Sequence, residues 1–211
     1  MYDIVIAGAG GCGREVYEMA LDTFSPDEYR IKGFLSDNGG ELEHFPELKR
    51  TAPVLGRIVD YEIQPQDRFL LAVGSPEGRK LVAGRLLARG AEFLTLIHPT
   101  AKVFRTAKLG QGVIVYPFVM LSSYVEVGDF CLFNAYSGCG HDARVGAYAV
   151  FCPYAVSLGF SEVGEGCMLA SHAMLAPKKR LGRNAVVSAN SAALRNAPDD
   201  AFVCGVPGKN F

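Results

Sequence analysis

The stretch "LGQGVIVYPFVMLSSYVEVG", Leu109 to Gly128, follows neither of the two common periods of protein chains. Large apolar residues return at 109, 115, 121 and 127, and valines stand at 113, 119 and 125. An α-helix repeats near 3.6 residues and a strand alternates every two, so neither sustains two separate columns six residues apart. Counting outward from Ile97 to Ala193, every sixth residue is apolar except Ser157. The residues four places further on, 101 through 197, are Ala, Val, Cys or Ser except Lys179. A slower beat lies on top: Gly110, Gly128, Gly146, Gly164 and Gly182 are 18 apart. Three hexads therefore make one coil, and these glycines are expected to stack at one corner, where a tight turn favours glycine. The pattern predicts a parallel β-helix of triangular section, with first-position residues filling the interior and small fifth-position residues beside them. Lys179 predicts a local bulge. Five to six coils stacked at about 4.8 Å give a prism on the order of 25 Å long, with flat faces for a partner.

Upstream of Leu96 the pattern is different. "YDIVIAG" and "FLLAVGS" read as buried strands of a parallel sheet, with "YRIKGFLSD" and "AEFLTLI" as further candidates. "SPEGRKLVAGRLLARG" reads as a helix, with Ser75 as cap, Pro76 at its first position and Gly90 at its end. Strand, helix, strand implies a small doubly wound, Rossmann-like α/β unit. The segment Ser36 to Tyr61 is expected to be loop over its binding face. Gly8, Gly10 and Gly13 form G-x-G-x-x-G between strand and helix, where backbone N–H groups can hold phosphate. That spacing permits a dinucleotide, with Asp37 near the place of a ribose-binding acid, but about 96 residues are too few for two mononucleotide halves.

Composition bounds the function. With 21 basic and 22 acidic residues the net charge is −1, which leaves no footprint for nucleic acid or an anionic membrane. Hydrophobic residues make up 49%, enough for a sizeable core. "MYDIVIAGAG" has neither a basic n-region nor a long apolar run, so a cytoplasmic chain without membrane insertion is expected. The six cysteines lack zinc spacing and are expected as free thiols. Cys139, two residues from His141, invites reading as a nucleophile, but a first-position sulfur should face the interior, as should Cys131 and Cys167 in the small column.

The landmarks "GAGGCGREV", "GFLSDN", "PVLG", "AVGSPEGRK", "LIHPTA", "GHDARVG" and "CGVPGK", in this order around an unbroken hexad array, resemble the hexapeptide-repeat sugar acyltransferases of the sialic acid O-acetyltransferase and bacillosamine N-acetyltransferase type. The resemblance implies a Rossmann-like nucleotide-sugar domain over 1–96 and a left-handed β-helix over 97–211. It also implies an acetyl-CoA-dependent transferase without metal, and a homotrimer with acetyl-CoA in the clefts between prisms. It makes His141 the general base that takes a proton from a sugar amine or hydroxyl attacking the thioester, a task an imidazole performs near neutral pH. Asp142 is then the residue that orients the ring, provided the chain bends there; otherwise it is merely solvated. Gly159, one coil beyond His141, corresponds to the oxyanion position, where a fixed backbone N–H is wanted. The resemblance assigns Gly10, Gly11, Cys12, Ser36, Asp37 and Gly74 to a UDP- or GDP-linked amino sugar, and Val150, Ser171 and Ala189 to acetyl-CoA. Cys12 and Ser36 stand where members often carry histidine and a second acid, and Val150 where some carry histidine. The run "PKKR", 177–180, either meets CoA phosphates or is a solvated loop, and His172 is either an edge residue near CoA or structural.

Two other readings stay open: a nucleotide-sugar-binding regulator whose transferase site has decayed, and a β-helix metalloenzyme like a carbonic anhydrase. The second needs three convergent histidines. The prism offers only His98, His141 and His172, at spacings that do not bring them together.

Overall fold

The computed structural model describes residues 1–210. The chain forms a Rossmann-like α/β unit followed by a left-handed parallel β-helix. In the first unit, β1 (Tyr2–Ala7), α1 (Gly11–Thr23), β2 (Tyr29–Leu35), α2 (Pro46–Thr51), β3 (Val54–Gly56), β4 (Asp67–Leu71) and α3 (Pro76–Leu87) follow one another. The sheet is wholly parallel, ordered β3-β2-β1-β4. α3 begins as its sequence predicts: the Ser75 hydroxyl accepts from the Gly78 N–H at 3.2 Å, and Pro76 occupies the first turn. Two expectations need correction. The segment from Ser36 to Tyr61 is not all loop, since it holds α2 and β3. "AEFLTLI" is shared between the units: Phe93 makes a single bridge to Phe69 in β4, and Leu96–Ile97 pairs with Ile114–Val115 in the prism.

From Leu96 the backbone alternates two-residue strands with four-residue corners, and strands 18 apart pair in register to give three sheets. First-position residues fill the interior from Val115 to Ala193 as expected, whereas at the open first coil Ile97 is exposed and Val103 and Leu109 are half-buried. Phe133 stacks on Phe151 with centroids 4.7 Å apart, and the exceptional Ser157 is accommodated by its hydroxyl pointing at the Cys139 sulfur, 3.2 Å away. The repeat shortens at its end. Leu181 bridges Ala197 and Val186 pairs with Phe202, both 16 residues on, so Ala197 takes the place of a first-position residue rather than the fifth. Lys179 makes no bulge: its carbonyl accepts the Glu162 N–H at 2.9 Å like its neighbours in the ladder, and its side chain is half-buried rather than enclosed.

The stacked glycines serve a different need from the one expected. Gly110, Gly128, Gly146, Gly164 and Gly182 do not adopt positive φ. What they supply is closeness between coils: a Cβ on Gly146 would stand 2.5 Å from the Glu165 nitrogen and 2.8 Å from the Gly164 carbonyl carbon. The left-handed corner residues are instead the fourth of each hexad from Gly112 to Asn190, among them Phe118, Tyr124, Phe130, Tyr136, Tyr148 and Tyr154, with φ between 57° and 63°. Bulky residues rarely accept that conformation. Here ring stacking between coils offsets the strain: Phe118–Tyr136 and Tyr136–Tyr154 stack at 5.0 and 4.9 Å, and Tyr154–His172 at 4.7 Å.

The three faces of the prism differ. One sheet, with Ile114, Leu132 and Val150 pointing outward, is buried against the α/β unit. A second carries Lys108, Glu126, Arg144, Glu162 and Arg180 in register, a ladder of alternating charge. The third presents Met120, Val156 and Met174, and Met120 is 51% exposed.

Candidate active site and nucleotide crevice

His141 lies on the corner between the methionine-bearing sheet and the charged one. Asp142 takes the left-handed fourth position with φ 59°, so the chain bends there and the carboxylate turns back: Asp142 Oδ2 lies 2.8 Å from His141 Nδ1. Corner geometry thus joins two residues adjacent in sequence. The ring stands edge-on to Phe160 with centroids 5.1 Å apart and is 58% exposed. With Nδ1 engaged by the carboxylate, Nε2 is left to face a reactant.

Gly159 sits one coil above, and its absent side chain makes room for the ring. A Cβ there would stand 2.8 Å from His141 Nε2 and 2.9 Å from Cε1. Its carbonyl accepts the Lys178 N–H at 3.0 Å, whereas its own N–H has no partner among the described residues. The residue that the free imidazole nitrogen faces thus also carries an unpartnered N–H. The cysteines are unsuited to nucleophilic attack: Cys139 is buried in the interior, and burial pushes its thiol up to about 12. Cys131 is likewise buried and pushed up to about 12.

The carboxyl ends of β1, β2 and β4 form a second candidate site, since ligands of parallel sheets bind beyond the strand ends. Gly10 caps α1, and the N–H groups of Gly11, Cys12 and Gly13 have no protein partner among the described residues. Gly10 and Gly74 each leave open space where a side chain would stand. The Cys12 side chain turns away to the prism, its sulfur 3.6 Å from the Tyr116 hydroxyl, which also donates to Glu15 at 3.1 Å. Burial pushes the Cys12 thiol up, and only its backbone N–H faces the crevice. Ser36 donates to Glu41. Asp37 is engaged: one oxygen accepts the Ile58 N–H at 2.9 Å and the other lies 3.6 Å from Arg85, which ties down the segment after β2.

Of the three positions expected near acetyl-CoA, Val150 is fully buried between Leu132 and Met168 and offers no surface within one chain. Ser171 and Ala189 lie one coil apart on the aromatic corner with His172, away from His141. The "PKKR" residues Lys178 and Arg180 are exposed. The histidines do not converge: His98 contacts Thr100 and Asp22, His172 stacks on Tyr154, and His141 stands on another corner. Among the described residues no group of three or more His, Cys, Asp or Glu could hold a metal. No helix among them is long and apolar enough to cross a membrane. Sequence reasoning missed the aromatic fourth column and Arg79, which crosses between the two units. The column was visible as Phe or Tyr at 118, 124, 130, 136, 148, 154 and 160.

Residues 3–86 match the PglD N-terminal domain family. Over 119 residues the chain is 30% identical to UDP-N-acetylbacillosamine N-acetyltransferase of Bacillus subtilis, covering 54% of this chain and 51% of that protein. Over 78 residues it is 33% identical to GDP-perosamine N-acetyltransferase of Escherichia coli O157:H7, covering 37% of this chain and 35% of that one. The chain thus spans about half the length, or less, of these curated relatives. Among solved structures, PerB from Caulobacter crescentus, in complex with CoA and GDP-perosamine, superposes with TM-score 0.88 at 25% identity, over 100% of this chain and 98% of that one. The acetyltransferase domain of PglB from Neisseria gonorrhoeae gives TM-score 0.89 at 25% identity over the whole of both chains. Over part of its sequence and the whole of its fold, the chain is similar to sugar N-acetyltransferases of the perosamine and bacillosamine type, and its residues 3–86 match the PglD N-terminal domain.

Proposed function

We propose that this protein is an acetyl-CoA-dependent acetyltransferase that acylates the amine or hydroxyl of a UDP- or GDP-linked amino sugar for a surface glycan. The observation that carries the reading is the juxtaposition of His141 Nε2 with Gly159 while Asp142 holds Nδ1. The neutral imidazole takes the proton of the attacking amine or hydroxyl at Nε2 as the new bond to the thioester carbonyl forms. The Gly159 N–H stabilises the developing oxyanion, and Asp142 stabilises the imidazolium. Collapse expels the CoA thiolate, which recovers the proton from His141, so no acyl-enzyme forms. Residues 1–96 bind the nucleotide sugar through Gly10, Gly11, the Cys12 backbone, Ser36, Asp37 and Gly74, and residues 97–211 carry the transfer. Acetyl-CoA and nucleotide sugars are cytoplasmic metabolites, and the enzyme works there. The test is a panel of UDP- and GDP-linked amino sugars with acetyl-CoA, read by release of the CoA thiol. Turnover with one nucleotide series is expected. Binding of a nucleotide sugar without turnover of any would favour a regulator and overturn the reading.

The assembly is a homotrimer built on the face of Met120, Val156 and Met174. The α/β unit covers one of the other faces, and the charge ladder suits the remaining one to water. That face runs between the aromatic corner and the His141 corner, so a neighbour seated on it brings its Ser171 and Ala189 edge toward His141 and forms a cleft for acetyl-CoA. Met120→Asp removes no core contact, because the side chain is half exposed. It is expected to give folded monomers by light scattering and to abolish most activity. A fully active trimer would assign the interface to another face.

A further inference from the structure

Arg79, in the first turns of α3, is the largest fully buried side chain of the protein. Its guanidinium donates only to neutral carbonyls: Nε to Phe130 at 2.7 Å, Nη1 to Val73 at 2.8 Å and Leu71 at 3.2 Å, and Nη2 to Cys131 at 3.4 Å. No carboxylate pairs with it among the described residues. Burial lowers its pKa to about 10, so it stays charged at neutral pH. A fully buried cation without a counter-ion is unusual: the carbonyl dipoles satisfy its N–H groups and offset part of the desolvation, but no opposite charge completes it.

Its place in the fold suggests where that charge comes from. Leu71 and Val73 lie at the carboxyl end of β4, directly before Gly74 of the nucleotide crevice. The Ala72 carbonyl between them packs against Gly8, which opens the glycine turn leading to the free N–H groups of Gly11, Cys12 and Gly13. Phe130 and Cys131 belong to the prism, where Phe93 of the α/β unit meets Phe130 edge-on at 5.0 Å. The guanidinium thus bonds the strand end that packs against the glycine turn while gripping a corner of the other unit. We propose that Arg79 is the built-in counter-charge of the nucleotide diphosphate, and that through the Phe130 and Cys131 carbonyls it couples phosphate binding to the seating of the α/β unit on the prism. The inference rests on the nucleotide-sugar reading. Arg79 touches no substrate in this scheme and acts at a distance, through a medium of low dielectric where a charge keeps its reach.

Calorimetry with GDP, GMP, UDP and UMP on the wild type, Arg79→Lys and Arg79→Gln tests it. The wild type is expected to prefer a diphosphate over its monophosphate. Arg79→Gln should weaken the diphosphate about tenfold and shrink that preference, whereas Arg79→Lys keeps the charge and most of the preference. Parallel losses for mono- and diphosphate, or equal behaviour of the two variants, would reduce Arg79 to a structural latch and overturn the proposal. A wild type that binds none of the four would overturn the nucleotide reading itself, a separate outcome. If Arg79→Gln does not fold, hydrogen exchange on the wild type decides. A saturating diphosphate should slow exchange around Phe130 and Cys131, and unchanged exchange there would count against the coupling.

Discussion

His141→Ala is expected to lower kcat by roughly 10²–10⁴-fold, the range that general-base catalysis supplies, with the acetyl-CoA KM little changed. The ring is more than half exposed and its firm contacts are to Asp142 and Phe160, so its loss removes no core packing. The folded state should therefore survive, because exposed substitutions away from caps and cores cost little stability. Circular dichroism and acetyl-CoA titration of the variant separate loss of the base from loss of the fold. A folded variant with near-normal turnover would return His141 to the status of a surface residue in a corner and remove the central step of the proposed reaction.

Much of the prism was legible because its constraint is periodic. One interior column and one small column recur every six residues, and each of them corresponds to a physical position that tolerates only certain volumes. The 18-residue glycines are legible as a column, but their cause is not. From sequence, a recurring glycine suggests a turn, while the demand at Gly146 is backbone contact between successive coils. The left-handed corners were missed because the rule for such positions names Gly, Asn and Asp, and this chain fills them with stacked Phe and Tyr. Ala197 leaves the small column that its spacing assigns because the last coil contracts to 16 residues, a break that composition does not signal. At the candidate site, the resemblance singled out His141 and Gly159, and the coil length put one above the other. The burial of Val150 and the turning of Cys12 toward Tyr116 depend on how the α/β unit docks, a long-range contact that no local pattern encodes.

Gly159→Ala is expected to lower kcat about 10²-fold, the scale on which a displacement near 1 Å costs an enzyme its productive geometry. The added methyl would stand 2.8 Å from His141 Nε2 and 2.9 Å from Cε1, closer than carbon and ring atoms allow, and the exposed ring is the part free to yield. Gly159 does not use a positive φ, so alanine fits its backbone and keeps its N–H, and stability should change little. The loss would therefore come from moving the base rather than from deleting the oxyanion donor. A double-mutant cycle distinguishes the two. If the methyl acts through the ring, His141→Ala/Gly159→Ala should turn over no more slowly than His141→Ala, because there is no ring left to displace. If the two losses multiply, the methyl obstructs the acyl group or its oxyanion independently, and Gly159 is there to admit substrate. Full activity in Gly159→Ala would mean that the imidazole does not work from the position it holds above this glycine.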